Sequence, residues 1–294
     1  MKFSIVIPSY RRADLLSLCL RSLEQFAPEN CEIIVVDDCS AEGIISKTAA
    51  DFSFVKILRL ETQSGFCLAS NAGILAAQGE FVELLNDDTE VTPGWAEAAL
   101  LAFENPEVGA VAPLVLQTGT AYLIDSAGDE YHSGGFARKR FHNCMLEDIP
   151  LEPKFVFGAS GSSAFYRKAA LEKAGLFPTE FGAYFEDVDL AHRLNNLGFR
   201  TWFEPSSIVW HAVSASHGRK PSREVLALQS LNEERVFWRN IDSRHIPTHL
   251  AVLGLKAIRR AREGNLIPFC KGRLRAFREL PELLSHKRRF ARVG

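Results

Sequence analysis

The sequence predicts an α/β fold: a mostly parallel sheet flanked by helices, followed by a C-terminal helical extension. Three observations carry this. Over the first 115 residues, short apolar runs alternate with segments whose apolar residues recur at helical spacing. The runs are apolar at almost every position, as expected of strands covered on both faces. Polar clusters cut several of them off, and in open α/β sheets ligands bind outside the carboxyl ends of the strands.

Residues 3–8 (FSIVIP) read as the first buried strand. Residues 12–27 place Leu15, Leu16, Cys19, Leu20, Leu23 and Phe26 on one helical stripe. Residues 32–36 (EIIVV) form a second strand, stopped by Asp37 and Asp38, and residues 54–60 a third. Residues 65–78 make a small-residue helix closed by Gly79. Residues 80–85 (EFVELL) form a fourth strand, stopped by Asn86, Asp87 and Asp88. Residues 93–104 read as a helix with proline in its first turn, and 108–116 as another strand. Residues 118–152, rich in Gly, His and charge, predict a hairpin or mobile loop, and 154–166 read as extended. Residues 184–197 form a helix closed by Gly198; 199–203 and 208–210 are short strands, the second ending at His211. From about residue 218 the chain reads as helices with Lys and Arg on one face.

The 294 residues are 47% hydrophobic and 24% charged, which excludes a disordered chain, a collagen-like repeat and a coiled-coil rod. The N-terminus runs straight into strand-like sequence, so no signal peptide is expected. No run of about 18 apolar residues predicts a membrane-spanning helix. The six cysteines lack any C-x-x-C pairing and read as reduced thiols of a cytoplasmic protein. Residues 1–217 carry 16 Lys and Arg against 29 Asp and Glu, a net of −13; residues 218–294 carry 18 against 7, a net of +11. This divides the chain into an acidic body, 1–217, and a basic helical extension, 218–294, with different partners.

Several clusters have the residue types for chemistry. Asn86-Asp87-Asp88 follows a strand directly; paired carboxylates there bind a hard cation, or form a solvated turn. Asp37-Asp38 accepts hydrogen bonds from a base or ribose, or caps the next helix. Glu186-Asp187-x-Asp189 puts three mutually repelling carboxylates in one helical turn. Asp189 pairs with Arg193 one turn later and reads as structural, leaving Glu186 and Asp187 as candidate general bases. His211, read alone, is a structural histidine. Gly-rich phosphate loops are lacking: there is no G-x-x-x-x-G-K-[ST], and no G-x-G-x-x-G opens the first helix. The small-residue stretch 158–163 either lets an acceptor approach the backbone or forms a packed turn.

Taken in order, IVIPSYRR (5–12), EIIVVDDCS (32–40), GFCLASNAGILAAQGEFVELLNDDTEVTPGW (65–95), FGASGSSAFYRKAALEKAGLF (157–177) and YFEDVDLAHRLNNLGFRTWFEPSSIVWH (184–211) resemble the inverting GT-A glycosyltransferases of family 2, rhamnosyltransferase-like and of the O-antigen or cell-wall type. The resemblance implies a Rossmann-like nucleotide-diphospho-sugar transferase fold and a role for each matching position. Pro8, Ser9 and Tyr10 line the nucleotide base, and Asp38 contacts it with Asp37 alongside. Asn71 lies near the donor. Asn86-Asp87-Asp88 stands for the D-x-D motif, with Asn replacing its first Asp; Asp87 serves the ribose and Asp88 the metal. His211 supplies a second ligand to Mn2+ or Mg2+. Asp187 is the catalytic base, with Glu186 beside the acceptor.

The implied reaction moves a sugar from a UDP- or dTDP-linked donor to a glycan or lipid-linked glycan. The implied setting is the cytoplasm, at the inner face of the membrane, with the basic extension contacting anionic lipid or simply capping the fold. Sparse aromatic residues among its basic ones argue against nucleic acid as a partner. A nucleotidyltransferase and a non-catalytic glycan- or membrane-binding module are the alternatives. The first is disfavoured by the glycine-free Ser-Tyr-Arg-Arg after the first strand, the second by Asp88, Asp187 and His211 standing together.

Overall fold

The structure is a computed structural model that describes residues 2–213 and 221–290. In chain order the body comprises β1 (Phe3–Ser9), α1 (Ala13–Phe26), β2 (Glu32–Asp37), α2 (Ile44–Ala50), β3 (Val55–Arg59), α3 (Phe66–Ala76), β4 (Phe81–Leu85), β5 (Thr89–Val91) and α4 (Trp95–Leu101). It continues with β6 (Val108–Gln117), β7 (Ile124–Ser126), β8 (Asp129–His132), β9 (Phe136–Lys139), β10 (Lys154–Val156), β11 (Ser163–Arg167), α5 (Lys168–Ala174), α6 (Glu186–Asn196) and β12 (Arg200–His211). The extension contains α7 (Arg223–Asn240), α8 (Ile246–Arg262), α9 (Leu266–Arg278) and α10 (Leu280–Arg289).

The main sheet runs β3-β2-β1-β4-β11-β6-β12-β10, with β5 on β12 and β7 on β6. Successive β-strand residues point to opposite faces, so one core holds Val6, Ile34, Val36 and Leu84 while the other holds Ile5, Ile7, Ile33 and Val35. That explains the uninterrupted apolar runs. The sheet is mixed where a mostly parallel one was expected. β3-β2-β1-β4 and the β6–β12 pair are parallel, but β11 runs against both β4 and β6. The chain reaches Ser163 opposite Leu85, at the carboxyl end of β4, so the next strand has to run back. The loop before it, 157–162, is thereby placed over the strand ends.

Other departures have local causes. α4 starts after Gly94, whose φ is 78°, so Pro93 precedes the helix. α3 ends at Ala76, and Gly79 is no cap: a Cβ there would lie 2.7 Å from the Ser4 amide nitrogen. The two short strands expected at 199–210 are one strand, β12, whose register shifts between Glu204 and Ile208, around Pro205. The stretch 118–152 contains β7 and the β8–β9 hairpin, and 154–166 is broken into β10 and β11.

The basic extension is fastened to the body. Asn232 Nδ2 donates to the carbonyls of Phe181, Ala183 and Tyr184 at 2.9, 2.9 and 3.0 Å. Asp189 accepts from Arg193 Nε at 2.8 Å and Asn240 Nδ2 at 3.0 Å and forms an ion pair with Arg239, whose Nε lies 3.1 Å away, in keeping with a structural role. The expected boundary at 217/218 lies outside the described residues. All six cysteines are free. Among the described residues no helix is long and apolar enough to cross a membrane.

Candidate active site

The strand ends bring the first set of expected residues together. Ser9 pairs in register with Asp37, and Pro8 with Val36. Ser9 Oγ donates to Asp87 Oδ2 at 2.6 Å. Arg12, at the start of α1, bridges both acids: Nη2 lies 2.5 Å from Asp87 Oδ1 and Nη1 2.6 Å from Asp88 Oδ2. Thr89 pairs with His211 across β5 and β12, and the Ala212 amide donates to the Asp88 carbonyl at 2.8 Å. This puts His211 Nε2 3.2 Å from Asp88 Oδ1, across 123 positions of sequence. Asn86 anchors the turn through its backbone, donating to the Ser162 carbonyl at 3.0 Å. Tyr10 donates to Gln63 at 2.9 Å, and Arg11 covers its ring. Asp38 accepts from the amides of Ser64 and Gly65 at 2.6 and 2.9 Å, on the approach to α3.

Like Asp38, two further expected donor contacts have their polar atoms engaged inside the protein. Asp37 is fully buried and accepts from the Ser40 amide, the Ser46 amide and hydroxyl, and Arg59. It organises the loop after β2 and the first turn of α2, whose N-cap is Gly43. Asn71 closes a two-bond pair with the backbone of Phe177, both bonds at 2.9 Å. It ties α3 to the segment after α5. Neither offers its side chain to the crevice in this structure.

Behind His211 stands Asp125, which the sequence reading missed. Its Oδ2 lies 3.1 Å from His211 Nδ1 and 2.7 Å from Lys139 Nζ, and its Oδ1 3.4 Å from His142 Nδ1. His211 therefore sits between two carboxylates. Burial pushes the Asp125 carboxyl up, but the hydrogen bonds of His142 and His211 and the Lys139 charge outweigh it and hold it far below the usual range. Burial pushes Asp88 up as well; His211 and Arg12 outweigh this and hold it low. Burial dominates at Asp87, leaving it at about 6 despite Arg12 and Ser9.

The second set of acids opens α6. Tyr184 and Phe185 lead into it with φ of 70° and 67°, a left-handed pair without glycine, a strained backbone of the kind found at functional sites. Asn232 bonds the carbonyl of Tyr184 and so supports this turn. Asp187 accepts from the amides of Gly161 and Val188, both at 2.8 Å. Glu186 Oε2 is buried without a partner among the described residues. A Cβ on Gly161 would lie 3.4 Å from Asp187 Oδ2 and 3.5 Å from Glu186 Oε1, so the small-residue loop lies directly against both carboxylates. Burial, then the Asp187 charge, pushes Glu186 up to about 8. Burial pushes Asp187 up too, against the two backbone amides. Asp129, also buried and also missed, is pushed up to about 8 by burial and by Asp187.

A family model described as glycosyl transferase family 2 matches residues 4–175, more than half of the chain. The chain belongs to glycosyl transferase family 2. An uncharacterized glycosyltransferase of Haemophilus influenzae is 35% identical to it over 106 residues, 36% of each chain. The N-acetylglucosaminyl-diphospho-decaprenol L-rhamnosyltransferase of Mycobacterium tuberculosis is 26% identical over 246 residues, 76% of this chain and 80% of that protein. The O-antigen biosynthesis protein RfbC of Myxococcus xanthus is 27% identical, over 73% of this chain and 18% of its own. The chain thus spans about a third of the Haemophilus protein and less than a fifth of RfbC.

Solved structures share the GT-A fold of this glycosyltransferase. GalNAc-T7 with UDP, GalNAc and Mn2+ superposes with a TM-score of 0.63 at 17% identity, over 81% of this chain and 50% of that one. S. aureus TarS 1-349 with UDP-GlcNAc gives 0.55 at 16%, over 99% and 93%. At such identities the likeness concerns the fold.

Arg12 was legible in principle, being basic and three residues past a strand end. Asp125 and Asp129 carried no local signal.

Proposed function

We propose that this family 2 glycosyltransferase moves a sugar, with inversion, from a UDP- or dTDP-linked donor to a glycan or lipid-linked glycan acceptor in surface polysaccharide synthesis. The observation that carries the reading is the placement of Asp88 beside His211 at the strand ends, with a separate pair, the buried Glu186 and the half-buried Asp187, against the 157–162 loop. Pro8, Ser9, Tyr10 and Asp38 line the base, and Ser9 orients Asp87 toward the ribose.

Asp88 and His211 suit a divalent ion. Asp88 Oδ1 is buried and makes no hydrogen bond among the described residues, with the His211 ring nitrogen 3.2 Å away: one hard oxygen and one imidazole, a donor pair Mn2+ or Mg2+ accepts. Among the described residues no three such side chains form a complete cage, so donor phosphates would finish the coordination. Such an ion, when bound, offsets the charge of the departing diphosphate.

Asp187 takes the proton of the acceptor hydroxyl as that oxygen bonds to the anomeric carbon and the carbon–oxygen bond to the diphosphate breaks. A single displacement inverts the centre and needs no covalent enzyme intermediate. Of the two acids, Asp187 is the base because two amides and the helix N-terminus favour its charged form. Glu186, pushed up to about 8, is protonated at neutral pH and donates to the acceptor.

The extension is the proposed membrane contact, at the inner face. Leu250, Leu255 and Ile258 are exposed on α8 alongside Arg259 and Arg262, a pairing of apolar and cationic side chains that fits an anionic bilayer surface. The test is release of free nucleoside diphosphate from a panel of nucleotide sugars, with Mn2+ or with EDTA. Metal-dependent release from one donor upholds the reading. Release of pyrophosphate from a nucleoside triphosphate and a sugar phosphate instead would make the enzyme a nucleotidyltransferase, and no turnover at all would leave a binding module.

A further inference from the structure

The extension encloses a cavity of about 220 Å3 that no step of the proposed reaction uses. Lys256, Arg259 and Arg260 of α8 and Arg273 of α9 line it; Glu233 of α7 is the one carboxylate among its described lining residues. The cations are not bare. Lys256 Nζ lies 2.5 Å from Glu233 Oε1, Arg273 bonds Glu233 and Glu234, and Arg259 and Arg260 reach Glu263 at 3.5 and 2.8 Å. Four cations thus stand against three carboxylates, Glu233, Glu234 and Glu263, an excess of one positive charge. Burial, with the neighbouring Arg273 and Arg259 charges, pushes the Lys256 ammonium down against the pull of Glu233. Phe185 and Phe269 supply an apolar side to the cavity.

A concave site with several guanidinium groups and excess positive charge favours phosphate oxygens. Two further facts narrow the ligand. Phe185 is continuous with Glu186, so the cavity adjoins the acceptor-side acids. The sequence neighbours of the cationic residues, Leu255 and Ile258, are more than half exposed, and so is Ile267, just beyond the lining residue Asn265. Phosphate-binding groups interleaved with bare apolar side chains match a phosphate joined to a hydrocarbon.

We infer that this cavity is a subsite for a phosphate or diphosphate group carried on a lipid. It is either the acceptor's own diphosphate or a bilayer headgroup. The first source rests on the lipid-linked acceptor reading above; the subsite itself does not.

Pyrophosphate binding is measured by calorimetry in EDTA, for wild type and for Arg259→Gln/Arg260→Gln, a pair on the open side of the cavity; Lys256→Gln is the second variant. Saturable binding by wild type, weakened at least about tenfold by either variant, is the expected result; tenfold is about 1.4 kcal/mol. Asp88→Asn binds pyrophosphate as wild type does, since the donor site takes no part. No binding by wild type, or equal binding by both variants, overturns the inference. Flotation with vesicles containing a polyprenyl diphosphate or phosphatidylglycerol separates the sources. Loss confined to the former assigns the acceptor, and loss of both assigns the headgroup; retained binding to both by the variants overturns the inference. Metal-dependent nucleotide release is measured on wild type alongside. If wild type lacks that release yet binds pyrophosphate, the transferase reading fails and the subsite stands.

Discussion

Asp87 and Asp88 on one side, and Glu186 and Asp187 on the other, are pairs of adjacent carboxylates held in opposite surroundings. The first pair is bracketed by cations: Arg12 touches both acids and His211 touches Asp88. The second has backbone amides and buried walls, with no cation in contact among the described residues. Asp88 is consequently held low and Glu186 pushed up. A carboxylate kept charged serves a cation and a diphosphate; one kept near the working pH serves a proton. Environment, more than residue type, divides the labour.

The sharpest way to break this comparison is to neutralise the base. Asp187→Asn is expected to lower transfer by about 10²–10⁴-fold while nucleotide binding survives; lost nucleotide binding would show that the pairs do not work separately. Next comes the support behind His211. Asp125→Asn is expected to weaken Mn2+ binding by about 10–100-fold, read from a metal titration of the nucleotide-induced melting shift. Unchanged affinity would reduce Asp125 to a buried brace for the β7–β12 region.

Asn232→Ala frees three carbonyls beside the strained turn before Glu186. A cost of about 1–3 kcal/mol follows, a fall of several degrees in Tm, with transfer lowered more than nucleotide binding. A turn that keeps full turnover without Asn232 would break the link between the extension and the acids.

The last prediction concerns pH dependence. With its carboxyl pushed up to about 8, Glu186 holds a proton in the folded chain that it has lost in the unfolded chain above about pH 4.5. Folding stability therefore falls as pH rises through that window, by up to about 1.4 kcal/mol per pH unit. Glu186→Gln removes its share of this slope, while Asp129, also pushed up, keeps its own. Urea unfolding at pH 5.5 and 8.5 checks it, and equal slopes in both proteins would mean that the acid is not desolvated.

Much of this was legible in sequence because it is local. Strands covered on both faces are apolar throughout, and the acids that stop them stand at the carboxyl ends by construction; β1, β2 and β4 and the acids Asp38 and Asp88 follow. What failed was long-range or ambiguous. Asp125 meets His211 only because β7 and β12 both pair with β6, which nothing near Asp125 announces. Asp37 and Asn71 read as donor contacts because an acid at a strand end and an amide in a helix look alike whether they face a ligand or a backbone. Glu83 sits in the apolar run of β4, fully buried, held by Trp95 and Ser163, which the pattern could not supply.

The division between the two acid pairs is tested most directly by thermal melting of wild type, Asp88→Asn and Asp187→Asn with nucleoside diphosphates and Mn2+. The account predicts that wild type and Asp187→Asn rise by several degrees with one nucleotide, about 2.7 kcal/mol at a hundred times Kd, and that Asp88→Asn does not. A full shift in Asp88→Asn, or none in Asp187→Asn, would contradict it.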